Sequence, residues 1–181
     1  DQNMADLVAQ VAANETGAQE LSRMVAVYGI EVVHAYMRHV QKNAEACVKA
    51  VLGRLKDGSF TYVMDSGARV CVSVTVDAGA GRARIDFTGT SPQDAGNYNA
   101  PLSICRAVVL YVFRCLVGAP IPMNEGCLAP LDIIVPEGTF LNPRPPAAVI
   151  AGNTEVSQSI AEALFGALGV LAGSQGTMND F

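Results

Sequence analysis

An almost uninterrupted apolar run lies between Pro101 and Gly118, and it restricts the possible folds of this chain more than any other segment. Its length suits a single helix, with the proline in the first turn and the glycine at the C-terminal cap. A membrane-spanning helix needs about 20 apolar residues, and this shorter run also contains Arg106 and Arg114. We therefore predict a core helix that is apolar on almost every face, whose two arginines need carboxylate, carbonyl or solvent partners.

The composition excludes several classes of function. The 181 residues are 50% hydrophobic and 16% charged, with a formal net charge of -5. Such a chain buries a core but offers no basic face to nucleic acid or to an anionic membrane. Its five cysteines form no C-x-x-C pair, which indicates free thiols in a reducing compartment. We therefore expect a cytoplasmic protein that binds neither nucleic acid nor membrane.

Residues 1–55 have the pattern of helices, with interruptions at Thr16-Gly17 and Tyr28-Gly29. A heptad-like seam then begins, with apolar residues at alternating steps of three and four. Its members are Ile30, Val33, Met37, Val40, Ala44, Cys47 and Val51. This spacing predicts that the helix packs lengthwise against another helix, either of its own chain or of a partner.

The rest of the chain, residues 56–181, alternates strand and helix patterns. Three strand-like runs at 59–64, 69–77 and 82–89 predict an antiparallel meander with one face on the core and the other partly wet. The apolar helix follows, then a strand at 130–138 and a final helix at 156–173. We therefore predict an α+β fold with an N-terminal helical segment, 1–55, and an α+β segment, 56–181.

Several familiar catalytic motifs are absent from the sequence. It contains no phosphate loop G-x-x-x-x-G-K-[ST], no dinucleotide fingerprint G-x-G-x-x-G, no H-E-x-x-H and no G-x-S-x-G. The two histidines, His34 and His39, are spaced so that they point to different faces of a helix, which does not suit a shared metal ion. No activating base is evident beside Cys127, which we interpret as a packed thiol.

Polar clusters at the ends of the apolar elements are the remaining candidates for chemistry. They hold the pairs Asn97 and Asn99, Asn124 and Glu125, Asn153 and Glu155, and Gln175 and Asn179. Asparagine both donates and accepts hydrogen bonds and tolerates turn conformations. Each cluster is therefore either a structural turn or cap, with Asn153 or Thr154 as a possible N-cap, or a polar surface for an amide-like substrate.

The roles of Glu125 and Asp86 are each open to two interpretations. Glu125 either pairs with an arginine such as Arg106 or Arg114, or acts as an acid or base; the ion pair is the safer interpretation. Asp86 lies either on a strand surface or in a site.

Long motifs at these clusters resemble one known family. The segments 85-IDFTGTSPQDAGNYNAP-101, 114-RCLVGAPIPMNEGCLAPLDIIVPEGTFLNPRPPAAVIAGNTEVSQ-158 and 174-SQGTMND-180 closely resemble the hydantoinase B/oxoprolinase family. The helical stretch 6-DLVAQVAANETGAQEL-21 resembles it too. The resemblance covers essentially the whole chain in register.

The resemblance implies a B-type part that works beside a hydantoinase A-type, nucleotide-binding subunit in a homo- or hetero-oligomer. Such pairs hydrolyse cyclic amides with ATP, as in N-methylhydantoinase and 5-oxoprolinase, and related assemblies carboxylate acetone or acetophenone. ATP and Mg²⁺ would then bind to the partner and none to this chain, in keeping with the missing phosphate loop. A non-catalytic assembly domain for the A-type subunit is the alternative from another class.

Two departures limit what the resemblance implies. B-type chains are much longer, and the metal ligands of the metal-dependent carboxylases lie upstream of the matched region, so no metal residue is assigned here. We therefore expect a fragment, inactive alone. In it Glu125 is the leading acid or base, and the other seven residues of the four pairs bind an amide or acyl-phosphate intermediate.

Overall fold

The chain has an α+β fold, as the sequence predicted; a computed structural model describes residues 2–171 and Gly176. The elements in chain order are helices α1 (Gln2–Tyr28) and α2 (Ile30–Leu52), strands β1 (Gly58–Val63), β2 (Arg69–Asp77) and β3 (Arg82–Asp86), helix α3 (Leu102–Val117), strand β4 (Leu131–Ile134) and helix α4 (Ser157–Leu168). A 3-10 turn, Glu125–Cys127, precedes β4, and a π-helical turn, Gly152–Val156, precedes α4.

The chain divides into two compact units, one up to Lys42 and one from Asn43 onward. Helix α1 belongs to the first unit and has no buried residue. The predicted interruption at Thr16-Gly17 was wrong, because α1 runs through it; one glycine in a long helix costs only about 1 kcal/mol. The helix ends before Gly29, whose φ of 83° is favourable for glycine alone.

The heptad-like seam of α2 is only partly buried. Val33, Ala44 and Val51 are buried, whereas Ile30, Met37 and Val40 are exposed. Packing along the whole length of α2 is therefore not present among the described residues. Contact of its first half with a partner stays a prediction.

A four-stranded sheet in the order β1-β2-β3-β4 forms the base of the second unit. The first three strands make the predicted antiparallel meander, although β3 ends at Asp86 rather than at Gly89. Strand β4 pairs in parallel with β3 and is shorter than the predicted strand. Alternation puts Val70, Val72 and Val74 on the core face and polar residues on the other.

Helices α3 and α4 form the core with the sheet. Phe113 of α3 and Ile160 of α4 are fully buried in this core, and burying a side chain of that size stabilises a fold by about 1.5–3 kcal/mol. Helix α3 has its predicted bounds and ends at Gly118 with φ 63°. The predicted core helix is confirmed, although α3 is not buried on every side, since Arg106 and Tyr111 face solvent.

Helix α4 is shorter than predicted and approaches β1 closely. It ends at Leu168 because Gly169 adopts a left-handed φ of 63°. A Cβ atom at Gly58 would lie 2.0 Å from the carbonyl oxygen of Ala167, so glycine is what allows the close approach of strand and helix. No helix within the described residues is long and apolar enough to span a bilayer.

Candidate functional site

Asn99 is a buried brace for the loop that precedes α3. Its side-chain carbonyl accepts a hydrogen bond from the N–H of Asp94 at 2.8 Å. Its amide nitrogen donates to the carbonyls of Asp94, Gly96 and Ala148 at 3.1, 3.2 and 2.8 Å. The side chain is fully buried and satisfied within the protein, so its contacts fix the loop and leave it no free group for a substrate.

The Asn97–Asn99 loop packs directly on the turn that starts α4. The N–H of Ala151 donates to the carbonyl of Asn97 at 3.0 Å. Gly152 lies so close to this loop that an added Cβ would be 2.5 Å from the carbonyl oxygen of Asn99. Two of the sequence clusters, distant in the chain, therefore meet in the fold.

A cleft opens beside this junction. It has a volume of about 230 Å³ and is lined by Tyr62, Met64, Asp65, Ser66, Tyr98, Glu155 and Ser159. Tyr98 comes from the loop, Glu155 from the π-helical turn before α4, and Ser159 from the first turn of α4. The other four residues come from the end of β1 and the hairpin that follows, so three separate segments form the cleft.

Carboxylates and hydroxyls dominate the polar groups of the cleft. Among the described residues that line it, Asp65 and Glu155 carry negative charge and no lysine or arginine is present. Burial raises the pKa of Tyr62, and the charge of the neighbouring Glu162 raises it further. Tyr62 thus stays a neutral phenol that can donate a hydrogen bond, in a cleft with negative potential.

Sequence reasoning found one residue that lines this cleft and two that support it, and it missed most of the lining. Glu155 lines the cleft, and Asn97 and Asn99 support the loop that carries Tyr98. Tyr62 and Ser159 were missed, because a tyrosine in an alternating strand and a serine in an apolar helix carry no local signal. Asp65 and Ser66 lie between two predicted strands, where the sequence indicates only a connection.

Asn153 does not line the cleft, and the interpretation of Asn153 or Thr154 as an N-cap was wrong. Both lie inside the π-helical turn Gly152–Val156, whose N-terminal flank has no side-chain cap. The carbonyl of Asn153 accepts a hydrogen bond from the Ser157 hydroxyl at 2.7 Å. Gln175 and Asn179 lie outside the described residues.

Asn124 and Glu125 form a separate cluster, and neither lines the cleft. Asn124 caps the 3-10 turn: its side-chain carbonyl accepts from the N–H of Gly126 at 2.8 Å, and its amide donates to the carbonyl of Pro122 at 3.1 Å. The Glu125 carboxylate lies 3.6 Å from Arg106, and its side chain is 72% exposed. This geometry favours the ion-pair interpretation of Glu125.

The two arginines of α3 have the partners that were expected of them. Arg106 pairs with Glu125, and the Nε–H of Arg114 donates to the carbonyl of Ile121 at 2.8 Å. Asp86 lies on the outer face of the sheet, where hydrogen bonds from Thr88 lower the pKa of its carboxyl. It therefore belongs to a strand surface rather than to the cleft.

In the part of the chain that the structure describes, the cysteine thiols and possible metal ligands form no second reactive centre. All five cysteines are free, and burial raises the pKa of Cys105 to about 12. Cys127 is fully buried, as a packed thiol would be. Within residues 2–171 and Gly176, no three His, Cys, Asp or Glu side chains are grouped as metal ligands.

Comparison with known proteins gives a family match over the whole chain. The sequence model of the hydantoinase B/oxoprolinase family matches residues 1–181. The chain is 41% identical to 5-oxoprolinase 1 of Arabidopsis thaliana over 98% of its own length, which is 15% of that relative's length. The chain thus spans about a seventh of this curated relative.

Two solved structures have the same fold at low sequence identity. The ATP-dependent caprolactamase of Pseudomonas jessenii superposes with a TM-score of 0.67 at 22% identity, over 90% of this chain and 30% of that one. A nucleotide-free acetone carboxylase superposes with a TM-score of 0.63 at 19% identity, over 88% of this chain and 23% of that one.

Proposed function

The chain belongs to the hydantoinase B/oxoprolinase family, and on this premise we propose that it is part of a longer polypeptide that hydrolyses cyclic amides with ATP. The identity of 41% to a 5-oxoprolinase across nearly the whole chain carries the proposal. By this assignment the chain supplies a piece of the substrate site and is inactive alone. The five free cysteines suit the cytoplasm.

The cleft beside Tyr98 and Glu155 is the part of the chain that we assign to the substrate. A ring amide has one N–H donor and one carbonyl acceptor. The Glu155 carboxylate is a strong acceptor for that N–H, and the neutral Tyr62 phenol, which is hydrogen-bonded to Glu162, becomes a donor for the carbonyl once the substrate replaces that partner. Asn97, Asn99 and Asn153 act indirectly, by holding the loop and turn that carry the cleft residues.

The cleft does not suit ATP. Its described lining contains two carboxylates and no lysine or arginine, whereas nucleotide phosphates need cationic or backbone N–H partners. For the same reason we do not assign the cleft to an acyl phosphate. We propose that ATP, Mg²⁺ and the cationic partner of a substrate carboxylate bind in the A-type subunit or in another part of the polypeptide.

Two alternatives remain for the experiment to separate. A ketone carboxylase part has support from the fold shared with acetone carboxylase. A non-catalytic assembly domain is favoured by the many exposed apolar residues of α1 and α2. The acid or base role that the family resemblance implies for Glu125 is a competing prediction, which the comparison of Glu125→Gln with Glu155→Gln tests.

The test is ATP turnover by the full-length parent polypeptide together with its A-type subunit. 5-Oxoproline, hydantoins and lactams are supplied in separate assays, and ketones are supplied with bicarbonate. We expect ATP hydrolysis stimulated by a cyclic amide and formation of the ring-opened acid. Stimulation by ketone and bicarbonate alone would favour the carboxylase, and no stimulation by any substrate would leave only the assembly domain.

A further inference from the structure

Glu162 of α4 lies next to the cleft without lining it. Ser159, three positions earlier in the same helix, is a lining residue. Residues three apart in a helix share a face, so Glu162 extends the cleft-facing side of α4 by one turn. Its carboxylate is therefore the next polar group of this helix face beyond the cleft.

The packing of β1 on α4 brings Tyr62 to this carboxylate. A Cβ atom at Gly166 would lie 2.7 Å from the ring of Phe60, so strand and helix are in contact there. Alternate residues of a strand share a face, and two residues of strand span about 6.7 Å. One helical turn spans about 5.4 Å. Tyr62, two residues beyond Phe60, therefore meets α4 about one turn before Gly166, beside Ser159 and Glu162.

Tyr62 and Glu162 interact directly. Burial raises the pKa of the Tyr62 phenol, and both the charge of Glu162 and a hydrogen bond with it raise the pKa further. A hydrogen bond with Ser159 lowers the pKa, and the charge of Asp65 adds a smaller increase. Two side chains of α4 therefore hold the hydroxyl, and the nearby carboxylate favours its protonated form.

The Glu162 carboxylate has unused capacity as an acceptor. Its Oε1 atom is buried, and no donor among the described residues forms a hydrogen bond with it. A buried charged oxygen without a donor is unfavourable, so the carboxylate strongly attracts a hydroxyl within its reach, as Tyr62 has. Gly176 lies against the same carboxylate, since a Cβ there would be 2.9 Å from Oε1. The position of this carboxylate thus depends on a glycine at 176.

We propose that Glu162 is a positioning residue for Tyr62: its carboxylate holds the phenol at the edge of the cleft, where the hydroxyl can turn to the carbonyl of a cyclic amide. This inference rests on the proposed function, because it assumes that the cleft holds the amide. Glu162 acts through Tyr62 and does not touch the substrate. A donor that is already in place contributes to catalysis because little reorganisation is needed when the substrate binds.

A double-mutant cycle in the full-length parent polypeptide with its A-type subunit tests this role. ATP hydrolysis stimulated by 5-oxoproline, by hydantoin and by a lactam is measured in Glu162→Gln, Tyr62→Phe and the double variant. The control is Glu137→Gln, because Glu137 is an exposed carboxylate that pairs with Arg144. We expect kcat/KM to fall at least about tenfold in each single variant and to stay at the wild-type value in the control.

The double variant distinguishes positioning from an independent role. Once the Tyr62 hydroxyl is absent, Glu162 has nothing to position, so the double variant should be within about twofold of Tyr62→Phe. Losses that multiply in the double variant would show that Glu162 acts without Tyr62 and would overturn the proposal. A value of kcat/KM in Glu162→Gln within about twofold of wild type would overturn it as well.

A titration separates failure of this inference from failure of the proposed function. Fluorotyrosine replaces Tyr62 in the parent polypeptide, and fluorine NMR reports the pKa of its phenol without any substrate. We expect a lower pKa in Glu162→Gln than in the parent, because a neighbouring negative charge is lost, and the parent pKa in Glu137→Gln. An unchanged pKa in Glu162→Gln would refute the inference even if cyclic amides are hydrolysed. A lowered pKa without turnover of any cyclic amide would refute the proposed function, and the donor role with it, but not the contact.

Gly176→Ala tests the same contact with the Glu162 side chain kept. The atoms nearest to the new Cβ are those at the end of the flexible Glu162 side chain, so the carboxylate should move at little cost in stability. We expect an unchanged Tm and a value of kcat/KM at least about threefold lower. In the Tyr62→Phe background the same change should lower kcat/KM by less than about twofold. Equal losses with and without the Tyr62 hydroxyl would contradict positioning through Tyr62.

Discussion

Two Asn-rich regions of this chain look alike in sequence and differ in structure. In the first, the Asn97–Asn99 loop meets the turn before α4, and the buried Asn99 binds Ala148, far away in the chain. In the second, Asn124 closes a turn within its own neighbourhood and Glu125 is exposed. The difference shows that long-range contacts, rather than residue type, make a polar cluster part of a site.

The largest expected effect is at Asn99. The change Asn99→Ala removes the four hydrogen bonds that the buried Asn99 side chain makes with backbone groups of Asp94, Gly96 and Ala148, and a hydrogen bond of this kind contributes about 0.5–1.5 kcal/mol. We expect a loss of about 3 kcal/mol or more in the free energy of unfolding, measured by urea denaturation. Asn97→Ala is the matched control, because Asn97 is exposed and contributes its backbone carbonyl; it should change stability by less than about 0.5 kcal/mol. Equal losses in both variants would remove the distinction between the two side chains.

The close contact at Gly152 gives the next largest effect. In Gly152→Ala the new Cβ would be 2.5 Å from the carbonyl oxygen of Asn99 and 2.7 Å from the Cα of Ala100, so backbone must move. Overpacking of this kind costs about 1–3 kcal/mol. Gly17→Ala is the control, since nothing lies within 4 Å of its Cβ position. Thermal unfolding should show a lower Tm for the first variant and an unchanged or higher Tm for the second; a Gly152→Ala protein as stable as wild type would mean that loop and turn are not in contact.

Substitutions in the second region, around Asn124 and Glu125, should lower the stability of the protein less. Asn124→Ala removes the acceptor for the N–H of Gly126, which resembles the loss of a helix N-cap and costs about 1 kcal/mol. The same urea titration therefore ranks Asn124→Ala well below Asn99→Ala. A loss at Asn124 as large as that at Asn99 would contradict the contrast between local and long-range bracing.

The smallest effect is expected at Glu125. Its pair with Arg106 spans 3.6 Å with both side chains substantially exposed, and such pairs are worth about 0–1 kcal/mol. Glu125→Gln should lower the free energy of unfolding by less than about 0.5 kcal/mol at 0.15 M salt, and the difference should vanish at 1 M salt because screening is then complete. A larger loss that persists at high salt would show a role beyond a surface ion pair.

The sequence predicted the bounds of individual helices and strands better than the contacts between them. The bounds of α3, its cap at Gly118 and the need of Arg106 and Arg114 for partners follow from local pattern and charge, and all are confirmed. The parallel pairing of β4 with β3 has no local signal, because the two strands are separated by α3.

The candidate site was predicted only in part, because contacts between distant segments bring its residues together. Glu155 was found through its cluster, whereas Tyr62, Asp65 and Ser66 reach the cleft through the close approach of β1 and α4. That approach depends on Gly58, whose missing side chain matters only once the partner helix is known. Convergence of separate segments is a tertiary property, and local pattern does not encode it.

Turnover by the parent polypeptide, measured in Glu155→Gln and Glu125→Gln side by side, tests the central assignment most directly. If the cleft beside Glu155 holds the cyclic amide, kcat/KM for amide-dependent ATP hydrolysis falls at least about tenfold in Glu155→Gln with an unchanged Tm. In Glu125→Gln it changes by less than about twofold, since Gln keeps the shape and only a surface ion pair is lost. The opposite ranking, with activity lost at Glu125 and retained at Glu155, would contradict the account.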